Sequence, residues 1–184
     1  FISICCNRLV SLPNNNMVRE ALEKLEYFVA IDFFLSETAR HADVVMAGSL
    51  HEEDEGTVTT AEGRVVRINA AVTPPGNARR DSDIVMELAG RLGAGDKFNF
   101  ENSEAIFNEL RVASKGGTAD YYGITYEKIE NNMGIFWPCP TLDHPATPRL
   151  WEDRNFKTPD GKAHFNAAPY RDPGEITDDE YPVV

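Results

Sequence analysis

Two short apolar runs, YFVAI at 27–31 and DVVMA at 43–47, stand only eleven residues apart, with Asp32 at the end of the first and Asp43 at the start of the second. A connection of that length containing the helix-favouring stretch SETARHA is too long for a tight hairpin and suits a crossover between parallel strands. Asp32 would then close one strand, while Asp43 opens the next on the far side of the sheet and has a folding role. Upstream, 1–6 (FISICC) reads as a buried strand with Asn7 directly after it, and 11–16 (SLPNNN) as a loop. Val18, Ala21, Leu22 and Leu25 mark a helix of about three turns, N-capped by Asn15 or Asn16. Strand, helix, strand, short helix capped by Ser36, strand is the order of an α/β chain with a parallel sheet and right-handed crossovers. Ligands of such sheets sit outside the carboxyl ends of the strands, which selects Asn7, Asp32 and Gly48.

The rest of the chain has a different texture. The alternation in 57–68 breaks at Glu62 and Gly63 and predicts a hairpin appended to the sheet. Asp81 opens a helix whose inward face is Ile84, Val85, Leu88 and Leu92 and which stops at Gly93. Ser103 is expected to cap a helix carrying Ile106, Phe107 and Leu110, and Thr125 a shorter one that runs to Gly134. Four prolines in 137–148 exclude helix or central strand there. The stretch after 135 is therefore expected to run extended and to take its order from domains outside this chain, with 161–170 (GKAHFNAAPY) as an edge strand. The expected divisions are 1–95, 96–136 and 137–184.

A chain of 184 residues with 42% hydrophobic and 26% charged residues can bury a core, and no run approaches the roughly 18 apolar residues of a membrane span. Thirty acids against 18 bases give a net charge of -12, which argues against nucleic acid or an anionic membrane surface as partner. Three cysteines without C-x-x-C spacing make no disulfide framework and point to a reducing, cytoplasmic setting. Both ends are apolar runs, 1–5 and 181–184, with no start Met and no targeting peptide, so the chain reads as a piece of a longer polypeptide.

Few residues carry chemistry. Asn7 and Asp32 stand 25 residues apart, near the interval at which a dinucleotide fold places a ribose-binding acid, but no G-x-G-x-x-G turn follows the first strand. Both residues could equally cap turns. Asp81, after Arg79 and Arg80, could cap its helix, or its carboxylate could accept the N1–H and N2–H₂ edge of a guanine as a planar bidentate pair. The acidic run HEEDEG at 51–56 lacks a calcium-loop pattern and reads as a solvated turn, the four histidines lack metal or triad spacing, and Cys139 reads as structural. No catalytic residue and no metal ligand is assigned.

Four motifs in sequence order change that picture: Asn7 with Ser11-Leu12-Pro13, the block from Asp32 through Ser36-Glu37-Thr38-Ala39 to Ala42-Asp43-Val44-Val45, Glu53-Asp54-Glu55-Gly56-Thr57, and Pro74-Pro75-Gly76 leading to Asp81. Over 7–93 the chain resembles the molybdopterin oxidoreductases of the dimethyl sulfoxide reductase family, and its later stretches resemble the nitrate reductase and formate dehydrogenase branch. The resemblance implies that 1–95 is part of a Rossmann-like domain holding a molybdopterin guanine dinucleotide. It assigns Asn7 and Ser11 to the loop near the dinucleotide, Ile31 and Asp32 to the strand end near its nucleoside, Gly48 to the next turn, and Asp81 to the guanine.

It further implies an iron–sulfur cysteine cluster and a molybdenum or tungsten ligand before residue 1, a barrel after Val184, an electron-transfer partner of the parent, and no cofactor held by this piece alone. Cys5 and Cys6, inside the first strand, cannot replace those ligands. Three positions depart from the family pattern: Arg8 and Ala47 stand in place of prolines, and Asp54 stands where some relatives carry a lysine. These departures favour the other reading, a stand-alone, non-catalytic nucleotide-binding or structural module.

Overall fold

The computed structural model describes residues 1–171. The chain divides into two units, Phe1–Pro148 and Arg149–Val184. In the first unit, β1 (Ile2–Ile4), β2 (Val29–Asp32) and β3 (Val44–Ala47) form a parallel sheet in the order β1-β2-β3. Ile4 pairs with Ile31, Ile31 with Met46 and Asp32 with Ala47, so the three strands end in step. The first crossover carries α1 (Arg8–Ser11) and α2 (Asn15–Glu23), and the second a 3-10 turn at Ala39–His41. Apolar side chains from these connections, Leu9, Leu22 and Ala39, bury Phe28 and Ala30 in one cluster. Asp43 has the folding role expected of it, since its Oδ2 accepts a 2.7 Å hydrogen bond from the Phe28 backbone N–H and anchors the start of β2.

Several local expectations shift. The first strand is three residues long and only half-buried, with Ile2 45% and Ile4 42% exposed, because β1 is an edge strand with a partner on one side. Cys5 and Cys6 lie beyond it, and Cys5 turns the chain with φ 50°. Ser11 ends α1, a single turn too short to leave a periodic signal, and Asn14 rather than Asn15 or Asn16 caps α2 by accepting from the Met17 N–H at 3.3 Å. Asn102 rather than Ser103 caps α4 (Ser103–Ala113), and Thr125 caps α5 (Tyr126–Asn132) as expected. In α3 (Asp81–Arg91) the buried residues are Ile84 and Ala89, while Leu92, just past the last turn, is 76% exposed.

The hairpin forms from β4 (Gly56–Thr59) and β5 (Arg64–Ile68), but its free edge pairs with β6 (Ile135–Phe136) in a separate antiparallel sheet. Helices α4 and α5 pack Phe107, Tyr126 and Ile129 against Val65, Ile124, Ile135 and Cys139 in a second cluster. The stretch 135–148 is therefore packed by this chain itself, contrary to the expectation that other domains would order it. Its backbone groups find partners without a regular ladder: Cys139 N–H donates to the Asp120 carbonyl at 2.8 Å, and Lys128 Nζ donates to the carbonyls of Leu142 (3.0 Å) and His144 (2.6 Å). A side chain at Gly123 would run into the Thr141 carbonyl, so this close approach needs glycine.

In the second unit the described residues contain no helix or strand. The edge strand expected over 161–170 is not formed; Phe165 and Tyr170 are 96% and 84% exposed, and no ladder partner pairs with this run among the described residues. The apolar run at 181–184 lies outside the described residues. Among the described residues no helix is long and apolar enough to cross a membrane.

Ile124, fully buried, and Leu92 give opposite expectations. Ile124→Ala should cost about 2–5 kcal/mol in urea unfolding, as cavity-forming core substitutions do, whereas Leu92→Ala should stay within about 0.5 kcal/mol of wild type.

Candidate functional site

Because the parallel strands end together, their exits form one edge at which the sequence-selected residues gather. They fall into two groups. In the first, Asn7 follows β1, and its Oδ1 accepts from both the backbone N–H (3.2 Å) and the hydroxyl (2.8 Å) of Thr38. Thr38 is buried, and its hydroxyl also accepts from the Leu9 N–H at 2.9 Å, which ties α1 to the second crossover. Ser11 Oγ donates to the Asn7 carbonyl at 3.0 Å. Asp32, at the end of β2, accepts from the Phe33 N–H (2.8 Å) and from Ser36 Oγ (3.0 Å), and Ser36 Oγ in turn accepts from the Ala39 N–H. The turn-capping role left open for Asn7 and Asp32 is thus present in the geometry, with lone pairs on Asp32 still free for a further donor.

The second group is Cys5, Ile31, Gly48 and Asp81. Gly48 directly follows β3, its N–H donating to the Asp32 carbonyl at 3.2 Å, and it forms a parallel bridge with Arg79. That bridge delivers the start of α3 to the sheet edge. The residue preceding α3 is Arg80, and Asp81 makes no capping hydrogen bond. Its side chain instead points back to the sheet: Oδ2 accepts from Cys5 Sγ at 3.0 Å, and Oδ1 is buried without a hydrogen-bond partner. A Cβ at Gly48 would stand 2.5 Å from this Oδ1 and 3.3 Å from Ile31 Cγ2, so only glycine leaves room for the carboxylate.

A left-handed backbone at a residue with a Cβ costs roughly 1–2 kcal/mol, and Cys5 adopts it. Desolvation, the hydrogen bond to Asp81 and the charges of Asp81 and Asp32 push its thiol up from 9.0 to about 12. Since the residue as a whole is exposed, the hydrogen bond and the two carboxylates are the causes the geometry supports most directly. The consequence is a neutral S–H donor throughout the physiological range. Sequence reasoning assigned no site role to Cys5 and missed Thr38. A polar residue buried by tertiary contact leaves no periodic signal, and the positive φ of Cys5 has no signature in a non-glycine residue.

The three departures make the following local contacts. Arg8 is the first residue of α1, a position that also suits proline, and its N–H donates to the Cys6 carbonyl at 3.1 Å. The Ala47 carbonyl accepts from the Arg79 N–H at 3.0 Å, next to the Gly48 bridge. Asp54 is used within its own loop, accepting from the Glu55 N–H at 2.7 Å. Among the described residues no cluster of three His, Cys, Asp or Glu side chains could hold a metal ion.

Comparison with known proteins identifies the family. The molybdopterin oxidoreductase family model matches residues 1–91, a span that contains both groups. The assimilatory nitrate reductase catalytic subunit of Bacillus subtilis (strain 168) is 49% identical over 92% of this chain and 24% of its own length. The F420-dependent formate dehydrogenase subunit alpha of Methanocaldococcus jannaschii is 42% identical over 97% of this chain and 26% of its own. The chain thus spans about a quarter of the length of these curated relatives. Among solved structures, acetylene hydratase from Pelobacter acetylenicus matches with a TM-score of 0.56 at 22% identity, covering 71% of this chain and 17% of that one, a likeness of fold. With its parallel sheet, its four ordered motifs and these relatives, the chain belongs to the molybdopterin oxidoreductase family.

Proposed function

We propose that this chain is a part of a molybdenum- or tungsten-dependent oxidoreductase that reduces nitrate or oxidises formate, and that its role there is to hold a molybdopterin guanine dinucleotide. The observation that carries this reading is the buried, unpartnered Oδ1 of Asp81 beside a glycine that leaves room for it. A buried carboxylate oxygen without a donor is costly unless a ligand supplies one, and the N–H edge of guanine is a donor of the right chemistry. The polar groups fit the ligand elsewhere as well: Asp32 can accept from ribose hydroxyls, and Asn7 and Ser11 stand at the two ends of α1, past the β1 exit.

In this reading Asp81 reads the base, Gly48 and Ile31 form the floor under it, and Asp32 orients the nucleoside. When bound, the metal–pterin group supplies two-electron redox chemistry, and the protein supplies its binding and orientation. Residues 1–95 are the dinucleotide-holding part, 96–136 a helical extension, and 137–184 a connection toward a further domain. An iron–sulfur cluster, the metal ligand and the contacts to an electron-transfer partner belong to the remainder of the parent, so the piece alone should be inactive. The higher identity to the nitrate reductase supports nitrate as the first substrate to assay, with formate second, both on the full-length parent with a viologen dye as electron donor or acceptor. A cytoplasmic setting rests on the cysteine usage; one relative, from Desulfovibrio desulfuricans, is a periplasmic nitrate reductase at 35% identity, so fractionation of the native protein decides the compartment.

Asp81→Asn in the full-length parent should lower the guanine nucleotide retained per polypeptide after dialysis by roughly ten- to hundredfold, the effect of losing a charge-assisted hydrogen bond worth about 1.5–3 kcal/mol. Undiminished retention would remove Asp81 from the guanine site. For the whole piece, titration of the 184-residue chain with GDP should show weak binding. A parent reading frame ending close to this chain, with no cysteine-rich segment upstream, would favour the non-catalytic module instead. Gly48→Val should depress nucleotide retention at least as much as Asp81→Asn, because its side chain would take the space of Oδ1.

A further inference from the structure

We propose that Cys5 is a positioning residue for Asp81: its S–H holds Oδ2, so that Oδ1 is presented unpartnered to an N–H donor of the ligand. The contact spans 76 residues of sequence at 3.0 Å, joining the exit of β1 to the first turn of α3. Three observations converge on it. Cys5 keeps a side chain at φ 50°, a conformation glycine would adopt with less strain, so the thiol is present at a backbone cost. Its N–H donates to the Ile31 carbonyl at 2.9 Å, which fixes the residue from which the thiol reaches out. The oxygen it leaves free is the one that is buried, unpartnered and packed against Gly48.

A carboxylate held by one oxygen loses its rotational freedom before the ligand arrives, and such preorganisation raises affinity without adding a contact to the ligand. A neutral thiol suits this task because it donates without bringing a charge that would compete with the ligand for Asp81. The Oδ2 atom keeps a further lone pair, so a planar edge with two donors still finds both oxygens.

The identity of the ligand rests on the guanine reading above; the positioning of Asp81 does not. The test uses the full-length parent carrying Cys5→Ser, Cys5→Ala or Cys5→Gly, the last chosen because it suits the backbone and keeps the fold if alanine does not. Guanine nucleotide retained per polypeptide should fall about three- to tenfold in the alanine and glycine variants and return to within about twofold of wild type in the serine variant, which restores a donor. Alkylation of Cys5 by iodoacetamide, followed on its peptide by mass spectrometry in cofactor-free protein, should stay slow well above pH 9, and Asp81→Asn should move its pH midpoint down by about one unit or more. Retention equal to wild type in Cys5→Gly, or equal loss in the serine and glycine variants, would overturn the positioning role. If Asp81→Asn keeps its nucleotide while the alkylation profile still moves, the guanine reading fails and the hold on Asp81 stands. If the nucleotide is lost only with Asp81→Asn, the guanine reading stands and Cys5 has no positioning role.

Discussion

Parallel hydrogen bonding through β2 sets where everything else at the strand-exit edge can be. With Ile4, Ile31 and Met46 in register, the three strand exits are forced to one side, and the residues that follow them meet although they are dozens of positions apart. Each exit turn is satisfied by side chains close to it. Asn7, Asp32, Ser36 and Thr38 do this by bonding one another and the nearby backbone. The Gly48–Arg79 bridge then recruits α3 to the same edge and brings Asp81 with it.

Three aspartates at the ends of elements take three different roles. Asp43 closes the amino side of the sheet through Phe28. Asp32 organises a turn and retains capacity for a further donor. Asp81, which by position alone should cap a helix, does not; its carboxylate is turned inward and half-satisfied by a thiol. An incompletely satisfied buried oxygen is the kind of local inconsistency that functional sites retain.

Much of this was legible in the amino-acid order. The strands around 29–32 and 44–47, the crossover between them, the hairpin and the helices opened by Asp81 and Thr125 all followed from period and turn chemistry, because each is specified by neighbours within a few residues. The selection of Gly48 and Asp81 followed from a strand-end rule and from family resemblance, whereas their mutual contact belongs to tertiary structure. What escaped was whatever depends on distant partners. The anchoring of 135–148, with Ile135 and Cys139 buried, arises from Asp120, Lys128 and β5 rather than from its own pattern, and its four prolines pointed the other way. The reach of Cys5 to Asp81 and the burial of Thr38 are of the same kind. Leu92 fails for the opposite reason: its spacing continues the helix face, but the helix stops one residue earlier.

The two apolar clusters share no residue: one joins Leu9, Leu22, Phe28, Ala30 and Ala39 beneath the parallel sheet, the other gathers around Val65 and Ile124. Residues without shared partners contribute to stability nearly independently. Changes that reshape the strand-exit edge through the first cluster therefore act nearly independently of the packing of the second. Sequence drift can remodel the strand exits while the hairpin and its helices keep their own packing.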